Sequence, residues 1–131
     1  MEGTALGQDN LIGLKKPSIL LVEDHFLTGQ NLRQHLIDRD YTVVGPVAHV
    51  NEGLALTSDD VPHIGVLDIN ILGGTSLPIA EALHRRNRPM VFVSGQAQHH
   101  ELPEHLQCYP LLPKPVDTSQ LVQEIHRLLN A

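Results

Sequence analysis

Polar side chains with the means to do chemistry stand where apolar runs stop. Glu23-Asp24 follows Ser18-Ile19-Leu20-Leu21-Val22, Asp68 follows Ile64-Gly65-Val66-Leu67, Ser94 follows Met90 to Val93, and Lys114 lies just past Tyr109 to Leu112. Such runs suit strands buried on both faces of a parallel sheet, and in such sheets ligands bind outside the carboxyl ends of the strands. Four strand ends would bring three carboxylates, a hydroxyl and an ammonium to one site. Carboxylates brought together repel and raise one another's pKa, unless a hard divalent cation with oxygen ligands resolves the repulsion. Magnesium is the natural candidate, because it keeps several waters and is held by one or two carboxylates together with phosphate oxygens. Phosphoryl transfer asks for an in-line nucleophile, with positive charge and hydrogen-bond donors around three equatorial oxygens. Asp68 can be the nucleophile, magnesium can take one oxygen, the Ser94 hydroxyl can donate to a second, and the Lys114 ammonium can neutralise a third.

Taken singly, each group has a plainer reading. Glu23-Asp24 fits a solvated turn, Ser94 a helix cap and Lys114 a surface lysine; only their joint placement favours a metal site. Of the nine histidines, His99, His100 and His105 fall in a polar segment without helical pairing and are read as exposed loop residues. His25 borders the expected cleft, with a structural and a functional role both open. The one cysteine, Cys108, excludes an intrachain disulfide and is read as a packing residue.

These groups need a scaffold that alternates strands and helices. After Ser18–Val22, a helix is expected over Thr28 to Asp40 on the spacing of Leu32, Leu36 and Ile37. Tyr41 to Val44 is the second strand, with Gly45-Pro46 as its exit turn. Asn51 is the expected cap of a helix containing Leu54 and Leu56. After the third strand and the Gly73-Gly74 turn, Thr75 or Ser76 caps a helix that faces Ile79, Ala80 and Leu83 inward. Pro103 and two adjacent histidines make residues 96 to 107 a short or irregular fourth helix. The last helix carries Leu121, Val122, Ile125, Leu128 and Leu129 in a helical stripe, with Asp117 and Gln120 as a capping box. Strands alternating with helices demand a parallel sheet covered on both faces.

The 131 residues fit one domain, read as a tail over 1–16 and a folded unit over 17–131. With 41% apolar and 18% charged residues the chain reads as globular, and no apolar run approaches the roughly 20 residues needed to cross a bilayer. Residues 1–16 lack the long apolar core of a secretion signal, so the expected location is cytoplasmic. A net charge of −6 argues against direct nucleic-acid binding, and Arg85, Arg86 and Arg88 are read as a solvated helix end. At 3% aromatics, base-stacking platforms are missing as well.

Over residues 17–130 the chain resembles the response-regulator receiver family. The motifs are Leu21-Val22-Glu23-Asp24, Leu67-Asp68-Ile69-Asn70, Val93-Ser94-Gly95 and Pro113-Lys114-Pro115. The resemblance implies a flavodoxin-like three-layer α/β fold, with five parallel strands in the order 2-1-3-4-5. It implies Mg2+ held directly by Asp24, Asp68 and the Asn70 main-chain carbonyl, with Glu23 acting through water. Asp68 would become a 4-aspartylphosphate, taking its phosphoryl group from a sensor histidine kinase or a histidine phosphotransfer protein. A cis Lys114–Pro115 bond is implied, as is Ser94 moving toward the phosphoryl oxygen. That motion would alter the face of the fourth helix, fifth strand and last helix for a downstream protein target. Asn70 and Gln96 would tune hydrolysis. The chain is closer still to stand-alone receivers whose fourth strand reads Phe-Ala-Thr-Gly, since its own reads Phe92-Val93-Ser94-Gly95. Two departures stand out: Ser94 replaces the threonine of that group, and Leu111 stands where many receivers carry an aromatic switch, so the usual aromatic rotation is not expected.

On this reading the chain is a switch, not a metabolic enzyme, and its oligomeric state, homodimer included, stays open. A rival reading is an interaction module that keeps the fold without using phosphate, against which the intact Asp24, Asp68, Ser94 and Lys114 count. A phosphatase of the haloacid-dehalogenase type would want a second acid two residues past Asp68, where Asn70 stands.

Overall fold

Successive side chains along a strand point to opposite faces, so an uninterrupted apolar strand needs cover on both sides. A computed structural model describes residues 16–95 and 102–131 and shows this arrangement. Its elements are β1 (Ser18–Val22), α1 (Phe26–Asp38), β2 (Thr42–Val47), α2 (Val50–Ala55), β3 (Ile64–Asp68), β4 (Asn70–Ile71), β5 (Gly74–Thr75), α3 (Leu77–Arg85), β6 (Met90–Ser94), β7 (Leu111–Pro113) and α4 (Thr118–Leu129). The main sheet is parallel throughout, in the order β2-β1-β3-β6-β7. With the small β4–β5 hairpin counted apart, this is the expected 2-1-3-4-5 order of a flavodoxin-like fold. Among the described residues, no helix is long and apolar enough to cross a membrane.

On one face Ile19, Leu21, Val66 and Val91 pack with Leu32 and Leu36 of α1 and Leu121 and Ile125 of α4. On the other, Leu20, Val22, Leu67 and Phe92 pack with Val50 of α2 and Ile79, Ala80 and Leu83 of α3. Each fully buried large side chain contributes about 1.5–3 kcal/mol from area removed from water, so the two layers hold the sheet from both sides. Parallel pairing sets Asp68 opposite Val93 and Ser94 opposite Pro113. The polar groups that end the three central strands and β7 are thereby brought to one edge.

The structure departs from expectation at several ends. α1 starts at Phe26, two residues earlier than expected, and ends at Asp38, where the chain turns through Arg39 and the positive-φ Asp40 (φ 68°). α2 is capped by His49, not Asn51: the imidazole Nδ1 accepts from the Asn51 backbone N–H at 3.1 Å, two residues on, as a capping side chain does. At α3 the Ser76 hydroxyl is buried with no hydrogen-bond partner among the described residues, and Thr75 Oγ1 accepts from the Leu77 N–H at 3.3 Å. The last helix keeps its expected cap, Asp117 Oδ1 accepting from the Gln120 N–H at 3.2 Å. β7 begins at Leu111 instead of Tyr109: the Tyr109 N–H closes a turn onto the Leu106 carbonyl at 3.2 Å, and Pro110 has no N–H for the ladder. In the region expected to be a short or irregular helix, the described part holds a single 3-10 turn, Glu104–Leu106, while Gln96, His99 and His100 lie outside the described residues. Cys108 is exposed, so it is not the packing residue expected; its Sγ lies 3.5 Å from the His105 carbonyl oxygen. In the arginine cluster, Arg85 and Arg86 are exposed as expected, whereas Arg88 is half-buried.

The clearest correction concerns β2. Gly45-Pro46 does not end the strand: β2 runs through it to Val47, with a register shift against β1 between Leu20 and Val22 and a cis bond at Gly45–Pro46. An edge strand tolerates proline because its outward N–H has no ladder partner. Gly45 has φ +107°, and a methyl there would lie 2.5 Å from the Leu21 carbonyl oxygen and 2.8 Å from the Val47 nitrogen. Neither atom can retreat without disturbing the β1–β2 pairing. Gly45→Ala is therefore expected to cost about 2–4 kcal/mol of stability. A lowered urea midpoint with an unchanged slope would show it, and an unchanged midpoint would contradict the close approach at Gly45.

Candidate functional site

Four of the five strands of the main sheet deliver a part of the site, because their apolar residues stop at the same end of the sheet. Glu23 and Asp24 follow β1, Asp68 ends β3, Ser94 ends β6 and Lys114 follows β7. Backbone bonds between neighbouring strands continue past these ends. The Glu23 N–H donates to the Val47 carbonyl at 2.9 Å, the Ile69 N–H to Val93 at 3.1 Å and the Lys114 N–H to Ser94 at 3.1 Å. The side chains are positioned by sheet, not by free loop.

The carboxylates of Glu23, Asp24 and Asp68 each offer an oxygen, and these oxygens lie within 4.8 Å of one another. Glu23 and Asp68 are buried, with only 4% and 7% of their surface exposed, and Asp24 is half-buried. Lys114 bridges the buried pair: Nζ donates to Asp68 Oδ2 at 2.8 Å and lies 3.1 Å from Glu23 Oε1 and 3.3 Å from Oε2. Glu23 Oε2 also accepts the His25 backbone N–H at 3.0 Å. Ser94, 5% exposed, is the residue after Val93, the register partner of Asp68. The Lys114–Pro115 bond is cis, as expected.

Burial, the largest cause, pushes the Asp68 carboxyl up to about 6; the Lys114 hydrogen bond pulls it back and the Glu23 charge raises it again. Burial lowers the Lys114 ammonium, but its hydrogen bonds to Asp68 and Glu23 and their charges more than reverse this, leaving it above the ordinary lysine value. One ammonium thus faces more negative charge than it can balance. An all-oxygen donor set with surplus negative charge fits a hard divalent cation held directly by carboxylates.

A stability prediction follows from the sign of the Asp68 shift. With its carboxyl raised from 3.8 to about 6, the metal-free folded state binds the proton more tightly than the unfolded chain. The site therefore costs nothing below the lower value, and stability is lost as pH rises through the interval. A divalent cation that binds the ionised form offsets the loss where the loss exists. Saturating Mg2+ is expected to raise Tm by on the order of 5 °C near pH 7.5 and by much less near pH 5. An equal shift at both values would contradict the assignment.

His25 is exposed and, with Thr28, Asn31, His35 and Lys114, lines a groove of about 580 Å³ beside the acids. A groove of about 620 Å³ between Arg39, Tyr41 and Val122 lies at the other end of α1 and contains none of the site residues. Asn70 opens β4 two residues past Asp68, and its side chain is exposed. Beside the site, Phe26 and Leu27 are each 74% exposed, which hydropathy gives no signal to detect.

The model of the response regulator receiver domain matches residues 19–126. This chain belongs to the response regulator receiver family. Among solved structures, the non-phosphorylated HemR receiver domain from Leptospira biflexa superposes on this receiver with TM-score 0.77 at 25% identity, covering 88% of this chain and 96% of that one. SdrG from Sphingomonas melonis Fr1 is 33% identical, with TM-score 0.73 over 88% of this receiver and 98% of that chain. A response regulator receiver protein from Sinorhizobium medicae WSM419, at 22% identity and TM-score 0.75 over 89% and 97% of the two chains, shares the fold. No curated protein matches the chain. A role in two-component signalling follows from the family, and the acidic cluster is of the kind that fits Mg2+.

Proposed function

We propose that Asp68 accepts a phosphoryl group from the phosphohistidine of a sensor histidine kinase or histidine phosphotransfer protein. The observation that carries this is the buried contact of Lys114 with Asp68 and Glu23, beside a third acid close enough to share one cation. An Asp68 oxygen attacks phosphorus in line; the oxygen–phosphorus bond forms as the nitrogen–phosphorus bond breaks, and the imidazole leaves with the electron pair. The Ser94 hydroxyl donates to one equatorial oxygen, and the Lys114 ammonium turns from the free carboxylate to another. Glu23, Asp24, Asp68 and the Asn70 carbonyl would hold Mg2+, which supplies charge neutralisation for the transferring group.

The chain would then catalyse only its own phosphorylation and hydrolysis, with Asn70 and Gln96 tuning the latter. Ser94 moving toward the phosphoryl group would change the surface of β7, α4 and the segment preceding β7, which a downstream protein reads. Residues 17–131 are the receiver unit and 1–16 a tail, placed in the cytoplasm where such donors act. The Phe92-Val93-Ser94-Gly95 strand end supports a stand-alone receiver of the Phe-Ala-Thr-Gly kind. The test is incubation with acetyl phosphate and Mg2+. A mass gain of one phosphoryl group, acid-stable and base-labile, is expected; no gain, with the acids free to bind metal, would favour the phosphate-independent module.

A further inference from the structure

The stretch Leu102–Pro110 leads into β7, which runs on into Lys114 and pairs with β6, the strand that ends in the site residue Ser94. It is anchored by packing: Leu102 and Leu106 are buried in the same cluster as Phe92, Ile79 and Leu83. It is also tied to α3 by polar side chains. The Tyr109 hydroxyl and His84 Nδ1 are 2.8 Å apart and partly buried, and the two rings meet edge to face at 5.9 Å. One turn earlier on α3, Glu81 carries both oxygens within 2.9 Å of His105 Nε2, and the His84 and His105 rings are 5.3 Å apart. These groups are not members of the carboxylate cluster of Glu23, Asp24 and Asp68, and the proposed chemistry does not use them.

We propose that these two ties, His84 with Tyr109 and Glu81 with His105, latch the Leu102–Pro110 stretch to α3 and so set the affinity of the Asp68 site for a phosphoryl group. The inference rests on the reading of Asp68 as phosphoacceptor. Ser94 and the stretch belong to one backbone frame: the Phe92 N–H donates to the Pro110 carbonyl at 2.9 Å, and the Lys114 N–H donates to Ser94 at 3.1 Å. A displacement of Ser94 toward an oxygen on Asp68 therefore pulls against the stretch, and every tie to α3 opposes it. The latched form binds the phosphoryl group less well than the released form, so weakening the latch shifts the population toward binding. The partly buried Tyr109–His84 bond carries most of this resistance, because the Glu81–His105 pair is exposed and screened. Burial, then the neighbouring Cys108, raises the Tyr109 phenol, which keeps its proton and stays competent for the bond.

The test uses the full chain titrated with beryllofluoride, a phosphoryl mimic, in excess Mg2+, followed at the Ser94 amide by NMR. Tyr109→Phe and His84→Gln are each expected to lower the beryllofluoride midpoint about fivefold. The double variant should shift it no further than either alone, because both remove the same bond. Glu81→Gln should shift it in the same direction by less. Midpoints equal to or above that of the unchanged chain, with Tm lowered, would mark the ties as structural only and overturn the latch. If the unchanged chain itself shows no saturable response, the phosphoacceptor reading fails first, and the latch falls with it.

Discussion

Asp68→Asn is expected to reduce labelling by acetyl phosphate at least a hundredfold, to background, while leaving the receiver folded. The amide offers no charged oxygen to attack phosphorus, and no neighbouring acid is set to replace it: Glu23 is held by Lys114 and by the His25 N–H. The same substitution separates chemistry from stability, because the site disfavours the Asp68 charge when no cation is bound, raising its carboxyl to about 6. Removing that charge at neutral pH removes its burial cost, against which stands only the weakened bond to Lys114. Metal-free Asp68→Asn should therefore be at least as stable as the parent near pH 7.5, with the fall in stability between pH 4 and 6 flattened. Labelling that survives in this variant would mean the wrong acceptor; a collapse in Tm would mean the pocket welcomes the charge.

Lys114→Ala should have the second-largest effect, and in two readouts. The ammonium lies 2.8 Å from Asp68 and 3.1 Å from Glu23, and both carboxylates are buried. Its loss leaves a pair of acids in poor contact with water and without their cation, which costs about 2–3 kcal/mol after allowance for the partly open pocket. It also removes one donor to the transferring group, a loss on the order of a hundredfold in the rate of labelling. Mg2+ should recover more stability in Lys114→Ala than in the parent, because the cation then answers more unbalanced charge. A variant that labels at the parent rate would remove Lys114 from the mechanism.

The acidic site was legible because its members are tied to strand ends, and strand ends are where apolar runs meet polar residues. Val22 to Glu23, Leu67 to Asp68 and Val93 to Ser94 are each one step along the chain, so parallel pairing alone brings them together. The order of the strands came from the family resemblance, since periodicity is silent on which strand lies beside which. What hydropathy missed has local causes: a side chain capping a helix, a glycine relaxing a steric rule, a proline without an N–H, and strands too short to show a period. His49 caps α2 through a ring nitrogen that no capping pattern names. β2 passes Gly45-Pro46 because it is an edge strand and Gly45 takes φ +107°. Tyr109 was read into a strand, yet its N–H is spent on the Leu106 carbonyl and the next residue, Pro110, has no N–H to give the ladder. The β4–β5 hairpin escaped because two-residue strands carry no periodicity, although Gly73 and Gly74, both at positive φ, marked its turn.

The most direct measurement of the central claim is to phosphorylate the full chain with acetyl phosphate and Mg2+, reduce the acyl phosphate with borohydride and read the modified peptide by tandem mass spectrometry. Homoserine in place of Asp68, formed only when Mg2+ is present, is the predicted result. Conversion at Glu23 or Asp24, or none at any acid under conditions where Mg2+ binds, would contradict it.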